Sequence, residues 1–383
     1  MKEIECKIEG DDSESLPVVR TSTWQHSARS PTGEGPLSTS QPAPDETTGT
    51  AEGALDLYRS PLSFFPPRAA VLRSFSPLLT LLVLIVTYPL PVPAAPAEAA
   101  PFQVQFGETT VEHRIMTVLT MPDASVRLAI SDAASGGYRV EAPGHTVAPL
   151  SETKWRVRPP RQPGLHPLTV TDTTSGASVQ LQVFVLSPWD HEGRSLNGYR
   201  IGAYEETARN GHERYEPPEG FVRVTDANRN ARVSPNFRLH QFLCKQTEDT
   251  PQYALVRPRL LRTLEAVLAA LNERGHDAPT LHVMSGFRTP YYNRAIGNTT
   301  EYSRHLYGDA ADIFVDTDGD GYMDDLTGDG RVTEADAKRL ANIVARVPTE
   351  GRDAFVGGLS TYAPASHRGP FVHLDLRGTR ARW

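Results

Sequence analysis

The segment SRHLYGDAADIFVDTDGDGYMDD, residues 303–325, contains the change of pattern on which the fold prediction depends. His305 and Asp312 lie seven residues apart in it, and the small residues between them allow the chain to turn tightly. A short apolar stretch follows Asp312, and a dense series of aspartates then begins. The segment therefore predicts a polar site on a strand that leads directly into an acidic insertion.

The residues on both sides of this segment predict an α+β domain over residues 236–383. A helix is predicted at 257–275 because its leucines recur at helical spacing, Pro258 lies in its first turn and Gly275 follows its end. Because a helix, a strand, an insertion, a second helix and further strands follow one another, an antiparallel sheet is the expected scaffold. The remaining predicted elements are a strand in TLHVMSGFR (280–288), the helix EADAKRLANIVARV (334–347) and strands in AFVGGL (354–359) and PFVHLDLRG (370–378).

The middle of the chain divides into two further regions. Residues 100–188 contain about seven short, alternating and β-branched stretches separated by turn residues, which is typical of a small β-sandwich. No catalytic pattern occurs there, so we expect a spacer or a binding module. Residues 189–235 are polar and rich in Gly, Pro and Asn, which predicts a long connection with a few short strands that wraps one domain or the other.

The N-terminal region has the composition of a non-globular extension followed by an export signal. Residues 1–67 lack apolar periodicity, which predicts disorder or a start assigned too far upstream. Residues 68–99 follow the pattern of a secretory signal peptide. Their apolar run is shorter than the ~18–20 residues that a membrane span needs, which argues against a transmembrane anchor. The parts of this signal are Arg68 and Arg73, the apolar run Leu78–Val86 and the small-x-small site Ala97-Glu98-Ala99.

The bulk composition narrows the class of protein. The net charge is -7 and Lys and Arg form no long block, so a nucleic-acid partner is not expected. The two cysteines, Cys6 and Cys244, do not provide a disulfide framework. Together with the signal peptide at residues 68–99, these features predict an exported protein of the periplasm, cell envelope or extracellular space. We expect it to contact a membrane only through that signal peptide.

The strand FVHLDL (371–376) adds a second pair of polar residues. Strand alternation places His373 and Asp375 on one face with Phe371, and leaves three apolar residues for the core. Together with His305 and Asp312, His373 completes a His, Asp, His set with a fourth position left for water, which describes a catalytic zinc site. Zinc at such a site lowers the pKa of water and polarises a carbonyl group.

Three linked motifs, SGFRTPYYN, SRHLYGDAADI and FVHLDLRG, resemble those of the VanY-like zinc peptidase family. This family, with the hedgehog/DD-peptidase fold, includes D-alanyl-D-alanine carboxypeptidases and murein endopeptidases, and the resemblance covers roughly residues 236–383. It implies that zinc is held by His305, Asp312 and His373. It also implies that Arg288 points at the substrate carbonyl or carboxylate. The substrate-binding residues that it implies are Ser285, Arg288 and Ser303.

One position departs from the family pattern. Many relatives have an acidic general base three residues before the last zinc ligand, where this chain has Pro370. The base must then come from elsewhere, and Asp375 and His367 are the two candidates. Asp375 can instead orient a zinc-binding histidine from behind.

Two overlapping calcium-loop patterns fill residues 316–336. Oxygen ligands at alternate positions around a sharp glycine turn are what calcium requires. The pattern allows one or two ions that stiffen the segment presenting Asp312, and the alternative is a solvated acidic loop. The expected ligands are Asp316, Asp318, Asp320, Asp324, Asp325, Thr327, Asp329, the Arg331 carbonyl, Thr333 and Asp336.

The sequence therefore predicts a secreted zinc metallopeptidase with a calcium-binding insertion. Its expected substrate is a peptide bond in peptidoglycan stem peptides or cross-links, which it would cleave as a carboxypeptidase or an endopeptidase. The alternative is a non-catalytic cell-wall-binding or calcium-dependent adhesion module that keeps the fold. The absent acidic residue at position 370 favours this alternative, and the intact set of three ligands argues against it.

Overall fold

The computed structural model describes residues 99–132, 136–246 and 251–383. The predictions for residues 1–67 and for the signal peptide lie outside the described residues, except that Ala99 begins the first strand. No helix within the described ranges is both long enough and apolar enough to cross a membrane.

The first described part is built from nine strands in two sheets. One sheet has five strands and the other four, and all pairs are antiparallel except the pair of β3 and β9. Buried side chains from both sheets, such as Val104 and Leu181, belong to one apolar core. The strands are β1 (Ala99–Phe106), β2 (Thr109–His113), β3 (Ile115–Thr120), β4 (Val126–Ile130), β5 (Tyr138–Glu141), β6 (Thr146–Ser151), β7 (Lys154–Arg158), β8 (Gly164–Asp172) and β9 (Ser178–Val185). The orders across the two sheets are β2-β1-β4-β7-β6 and β3-β9-β8-β5.

The following residues form short elements with much irregular chain between them. A three-stranded sheet, in the order β10-β13-β14, joins residues on both sides of this region. The strands are β10 (Ser187–Pro188), β11 (Ser195–Leu196), β12 (Tyr199–Arg200), β13 (Gly220–Val224) and β14 (Gln252–Ala254), and the 3-10 helices are Arg209–Gly211, Glu213–Tyr215 and Leu239–Phe242.

The C-terminal part is a five-stranded sheet with helices. The predicted α+β class, with mostly antiparallel sheets and few helices, is confirmed. Its strand order is β15-β16-β18-β17-β19, and only the short pair of β17 and β19 is parallel. The elements are α1 (Pro258–Asn272), β15 (His282–Ser285), α2 (Pro290–Ala295), a 3-10 helix at Arg304–Tyr307, β16 (Ala310–Phe314), α3 (Glu334–Val344), β17 (Gly358–Tyr362), β18 (Phe371–Asp375) and β19 (Ala381–Arg382).

Helix α1 anchors this sheet through its apolar face. Pro258 occupies its first turn, where the missing N–H is not needed, and the helix ends before the left-handed Gly275. The predicted apolar stripe is fully buried, as the spacing of about 3.6 residues per turn requires. Its members are Leu260, Leu261, Leu264, Val267, Leu268 and Leu271.

The register of the C-terminal sheet brings polar residues into one row. Asp312 on β16 lies opposite Ser285 of β15 on one side and His373 of β18 on the other. His373 in turn lies opposite Ser360 of β17. Because directly opposed residues on neighbouring strands point to the same face, a polar row crosses the sheet at its centre.

Residues 199–215, which we call the strap, lie against the polar end of this sheet. The hydroxyl of Tyr204 donates to the Leu306 carbonyl oxygen at 2.6 Å, and the N–H of Tyr291 donates to the Ile201 carbonyl oxygen at 2.9 Å. Gly202 has a φ of +88° and lies so close that a Cβ there would be 2.5 Å from the Tyr291 nitrogen. The part of the chain predicted as a connection therefore contacts the residues around His305.

Candidate metal centre

Three side chains converge above the polar row. The 3-10 helix Arg304–Tyr307 presents His305, β16 presents Asp312 and β18 presents His373. His305 Nε2 lies 3.2 Å from His373 Nδ1 and 3.3 Å from Asp312 Oδ1. His373 Nδ1 lies 2.8 Å from Asp312 Oδ1. The structure thus brings together the three residues predicted as zinc ligands.

The spacing of these atoms fits a tetrahedral metal. Ligand atoms about 2.0 Å from a tetrahedral zinc ion stand about 3.3 Å apart. The three distances between the facing atoms are 3.2, 3.3 and 2.8 Å. All three residues are buried, and one imidazole–imidazole–carboxylate set with an open side is the donor set of catalytic zinc sites.

The outer nitrogen of each imidazole is already engaged. His305 Nδ1 lies 2.6 Å from the Gly286 carbonyl oxygen, to which only an N–H can donate. His373 Nε2 lies 3.0 Å from Asp375 Oδ2 and donates to that carboxylate. Neutral imidazole carries one N–H, so His305 Nε2 and His373 Nδ1 both present lone pairs to the same point. When both imidazoles are neutral, a metal cation between them would accept both lone pairs and pair with the Asp312 carboxylate.

Asp375 is held behind His373 and away from the facing atoms. Arg377 donates to it through Nε at 2.8 Å and Nη2 at 2.6 Å, and the Gly358 N–H donates at 3.2 Å. Asp375 is fully buried, and although burial opposes ionisation, Arg377 and His373 hold its pKa below the usual value. In this geometry the Asp375 carboxylate orients His373 and makes it more basic, while its role as the general base stays a prediction.

The electrostatics of the three facing residues favour a divalent cation. Burial lowers the pKa of His305. Burial also acts against a charged His373, but hydrogen bonds with Asp312 and Asp375 prevail and raise its pKa to about 9. Burial would raise the pKa of Asp312, yet His305 and His373 hold it well below its usual value. An ionised carboxylate thus lies beside two buried imidazoles.

Arg288 connects this centre to the SGFR motif. Its Nε donates to Ser285 Oγ at 2.8 Å, and its Nη2 donates to Asp312 Oδ2 at 2.5 Å. Its backbone N–H donates to the His305 carbonyl oxygen at 3.2 Å. The guanidinium therefore fixes the oxygen of Asp312 that does not face the histidines, while its Nη1 makes no hydrogen bond within the described residues.

Two cavities meet at Arg288. One, of about 420 Å³, contains the three facing residues together with Ser303, Arg209 and Trp383. The other, of about 670 Å³, is lined by Ser285, His367, Tyr322 and other residues of the acidic loop. His367 is exposed and lies in this neighbouring cavity, so the structure separates it from the cavity that Asp375 lines.

A buried ion cluster supports the turn that carries His305, and the sequence analysis did not identify it. Asp309 accepts from Arg304 Nε at 2.9 Å and Nη2 at 2.6 Å, and from Arg259 Nη2 at 2.6 Å. The Arg304 guanidinium also lies over the rings of Tyr215 and Tyr307, at 4.3 and 4.6 Å from their centroids. The only sequence signal was the pair of opposite charges, Arg304 and Asp309, on either side of the left-handed Gly308. Charged residues in a short loop are usually solvated, so this pair did not predict a buried cluster.

The two acidic loops repeat one hydrogen-bond pattern at an interval of nine residues. Asp316 accepts from the N–H groups of Gly319 at 2.7 Å and Gly321 at 3.1 Å. Asp325 does the same with Gly328 at 2.7 Å and Gly330 at 2.6 Å. All four glycines have φ between +76° and +85°, which only glycine adopts without strain.

Only part of the predicted calcium set converges in the described chain. Carboxylate oxygens of Asp316, Asp318 and Asp324 lie within 4.8 Å of one another. In the second loop, Asp336 accepts from the N–H groups of Thr327 at 3.0 Å and Thr333 at 2.7 Å, so it caps α3 together with Thr333. The other predicted carboxylate ligands in these loops, Asp320, Asp325 and Asp329, do not join the group of three.

One comparison with known proteins covers part of this site. A model of the family described as Peptidase M15 matches residues 235–344, which include His305 and Asp312 and end before His373. Among solved structures, the crystal structure of the titin M3 domain is similar at 12% identity, over 22% of this chain and 97% of that chain, with a TM-score of 0.15. No curated protein matches this chain. Residues 235–344 are thus similar to a peptidase family.

Proposed function

We propose that this chain is a zinc metallopeptidase that hydrolyses peptide bonds in peptidoglycan stem peptides or cross-links. The observation that supports this most directly is the convergence of His305 Nε2, Asp312 Oδ1 and His373 Nδ1, with both outer imidazole nitrogens engaged as donors. The similarity of residues 235–344 to Peptidase M15 supports the reaction class.

The three metal ligands and Arg288 would have different roles in the reaction. Zinc held by His305, Asp312 and His373 would lower the pKa of water toward ~7 and polarise the scissile carbonyl. Arg288 is fixed by Ser285 and Asp312, so its Nη1 can donate to the carbonyl oxygen as negative charge develops there without reorganising. A fixed guanidinium at that point stabilises the transition state more than the ground state.

We assign the general base to His367. Asp375, the other candidate, already accepts hydrogen bonds from His373, Arg377 and Gly358. His367 is exposed, lines the cavity that shares Arg288 with the metal cavity, and has no side-chain partner within the described residues. His367→Ala should lower kcat by about 10²–10⁴-fold and leave zinc affinity unchanged. Wild-type kcat in this variant would remove His367 from the mechanism.

Digestion of purified muropeptides tests the proposed function. The zinc-loaded chain should release products identifiable by mass spectrometry, and chelation should abolish the activity until zinc is restored. His373→Ala, compared with a control at the exposed His240, should release none. The same products would show whether the terminal bond or a cross-link is cleaved. Zinc binding without any cleavage would favour the non-catalytic binding module, for which Pro370 is the supporting observation.

A calcium ion at the first acidic loop is a further part of the proposal. Asp316, Asp318 and Asp324 converge, and three close carboxylates repel one another unless a cation neutralises them. Calcium should therefore raise the midpoint of thermal unfolding, and Asp318→Asn should reduce that shift. No shift with calcium would leave the solvated loop as the better description, and an equal shift with magnesium would contradict a site selective for calcium.

Export through the signal peptide at residues 68–99 completes the proposal. N-terminal sequencing of the protein recovered from the cell envelope or the medium should find a first residue near Ala100. Peptides from residues 1–60 in the native host would instead support a longer start.

A further inference from the structure

The metal cavity is lined by four arginines, and three of them are neutralised by a carboxylate. These ion pairs join Arg288 to Asp312 at 2.5 Å, Arg304 to Asp309 at 2.6 Å and Arg377 to Asp375 at 2.6 Å. Arg209 lines the same cavity, and within the described residues its guanidinium has no ion pair or hydrogen bond. The cavity therefore has one cation whose charge the protein itself does not compensate.

The strap holds Arg209 at this position. Arg209 begins the 3-10 helix Arg209–Gly211, and the Gly211 N–H donates to the Ala208 carbonyl oxygen at 2.9 Å. The Tyr302 hydroxyl donates to the Thr207 carbonyl oxygen at 2.9 Å, which ties the strap to a residue of the cavity wall. Arg209 is thus exposed on a short turn, and Thr207, which precedes that turn, is tied to Tyr302.

The charges around the cavity select the sign of its ligand. Four guanidinium groups and two carboxylates line it, and both carboxylates are already engaged with histidines and arginines. A metal dication would add further positive charge. An anionic group on the substrate would be attracted to this surface, and a planar guanidinium binds a carboxylate with two parallel hydrogen bonds.

We propose that Arg209 is a specificity-determining residue that binds a free carboxylate of the peptide substrate. This inference rests on the proposed peptidase function and names the chemistry of its substrate: a peptide with an ionised carboxyl group close to the scissile bond. That group is either the C-terminal carboxylate or a side-chain carboxylate. The recognition element comes from the strap, outside residues 235–344 that match the peptidase family.

Four peptides of one sequence test this proposal. They carry both carboxylates free, only the C-terminus amidated, only the side chain amidated, or both amidated. For peptides with the recognised carboxylate, Arg209→Gln should raise KM by about tenfold and change kcat less than twofold, since a charge-assisted pair is lost. Arg209→Lys should recover part of the loss, and the exposed Arg346→Gln should behave like the wild type.

The pattern across the four peptides decides the result. One of the two singly amidated peptides should have the same KM with the wild type and with Arg209→Gln, and its amidated group is then the carboxylate that Arg209 binds. The doubly amidated peptide should also have the same KM with both. An equal effect on all four peptides, or no effect on any, would overturn the proposal. If the wild type cleaves none of them, the proposed function fails. Dissociation constants of the same uncleaved peptides, measured on the zinc-loaded chain by calorimetry, would then still decide the role of Arg209.

Discussion

Two carboxylates, one at each nitrogen of the ring, determine the orientation and tautomer of His373. Asp312 lies 2.8 Å from Nδ1 and Asp375 lies 3.0 Å from Nε2. The first contact belongs to the facing set, and the second fixes which nitrogen carries the proton. Because tautomer and ring orientation follow from the second contact, Asp375 matters to the metal without touching it.

Asp375→Asn should therefore weaken zinc binding. The substitution removes the negative charge behind His373, and we expect zinc affinity to fall about 10–100-fold while saturating zinc restores most of kcat. Competition with a chelator measures the affinity, and the exposed Asp353→Asn is the control. If kcat collapses at full zinc occupancy, Asp375 is instead the general base.

For single residues, the sequence predicted which side chains share a strand face but not which neighbours those side chains contact. The alternation of FVHLDL correctly puts Phe371, His373 and Asp375 along one cavity wall. It does not reveal that Asp375 turns toward Arg377, because that depends on a side-chain contact two residues along the strand. Asp309 was missed for a related reason, since Arg259, one of its two arginine partners, lies 50 residues away in the chain.

Gly308 ends the 3-10 helix that presents His305. It has a φ of +71°, and a Cβ there would lie 2.4 Å from the Leu255 carbonyl oxygen. The turn can close against the chain before α1 only because this position has no side chain. The conformation of one residue thus sets where His305 stands relative to β16.

Gly308→Ala should destabilise the protein more than Gly297→Ala does. Both positions have positive φ, which costs alanine about 1–2 kcal/mol, but space around Gly297 is open. The extra clash at Gly308 should lower the free energy of unfolding further and weaken zinc binding. At Gly297 we expect only the cost of the positive φ, with zinc binding unchanged. Denaturant unfolding and chelator competition measure the two quantities. Equal losses in both variants would show that the close approach is unimportant.

Elements were predictable where their pattern was long enough. Helix α1 has six leucine and valine residues at helical spacing and was found from them. Helix α2 has only six residues, and its start depends on Thr289, whose hydroxyl accepts from the Tyr292 N–H at 3.1 Å. So short a helix shows no periodicity, and only Thr289 and Pro290 at its start carry a helix signal.

The strap shows how the whole molecule contributes to the metal centre. Tyr204 reaches Leu306, the residue after His305, and Arg214 reaches the Leu376 carbonyl oxygen at 2.7 Å. Arg304 donates to the Arg214 carbonyl oxygen at 2.7 Å. Irregular chain has no hydrophobic period, so the sequence could mark residues 189–235 only as a connection and could not place them on the site.

Tyr204→Phe tests this contribution. The buried Leu306 carbonyl would lose its donor, which should cost about 1–2 kcal/mol of unfolding free energy and weaken zinc binding by loosening the His305 turn. Tyr322→Phe is the control, because Tyr322 is 61% exposed and lies outside the strap. If the two variants unfold alike and bind zinc alike, the strap does not support the centre.

The zinc content of the purified chain tests the central claim most directly. After equilibration with zinc and removal of weakly bound metal, the wild type and the exposed His240→Ala control should each hold one tightly bound zinc ion per chain. His305→Ala and His373→Ala, checked for folding by circular dichroism, should lose it. Folded His305→Ala and His373→Ala variants that retain zinc with wild-type affinity would contradict the assignment of His305, Asp312 and His373 as the metal centre.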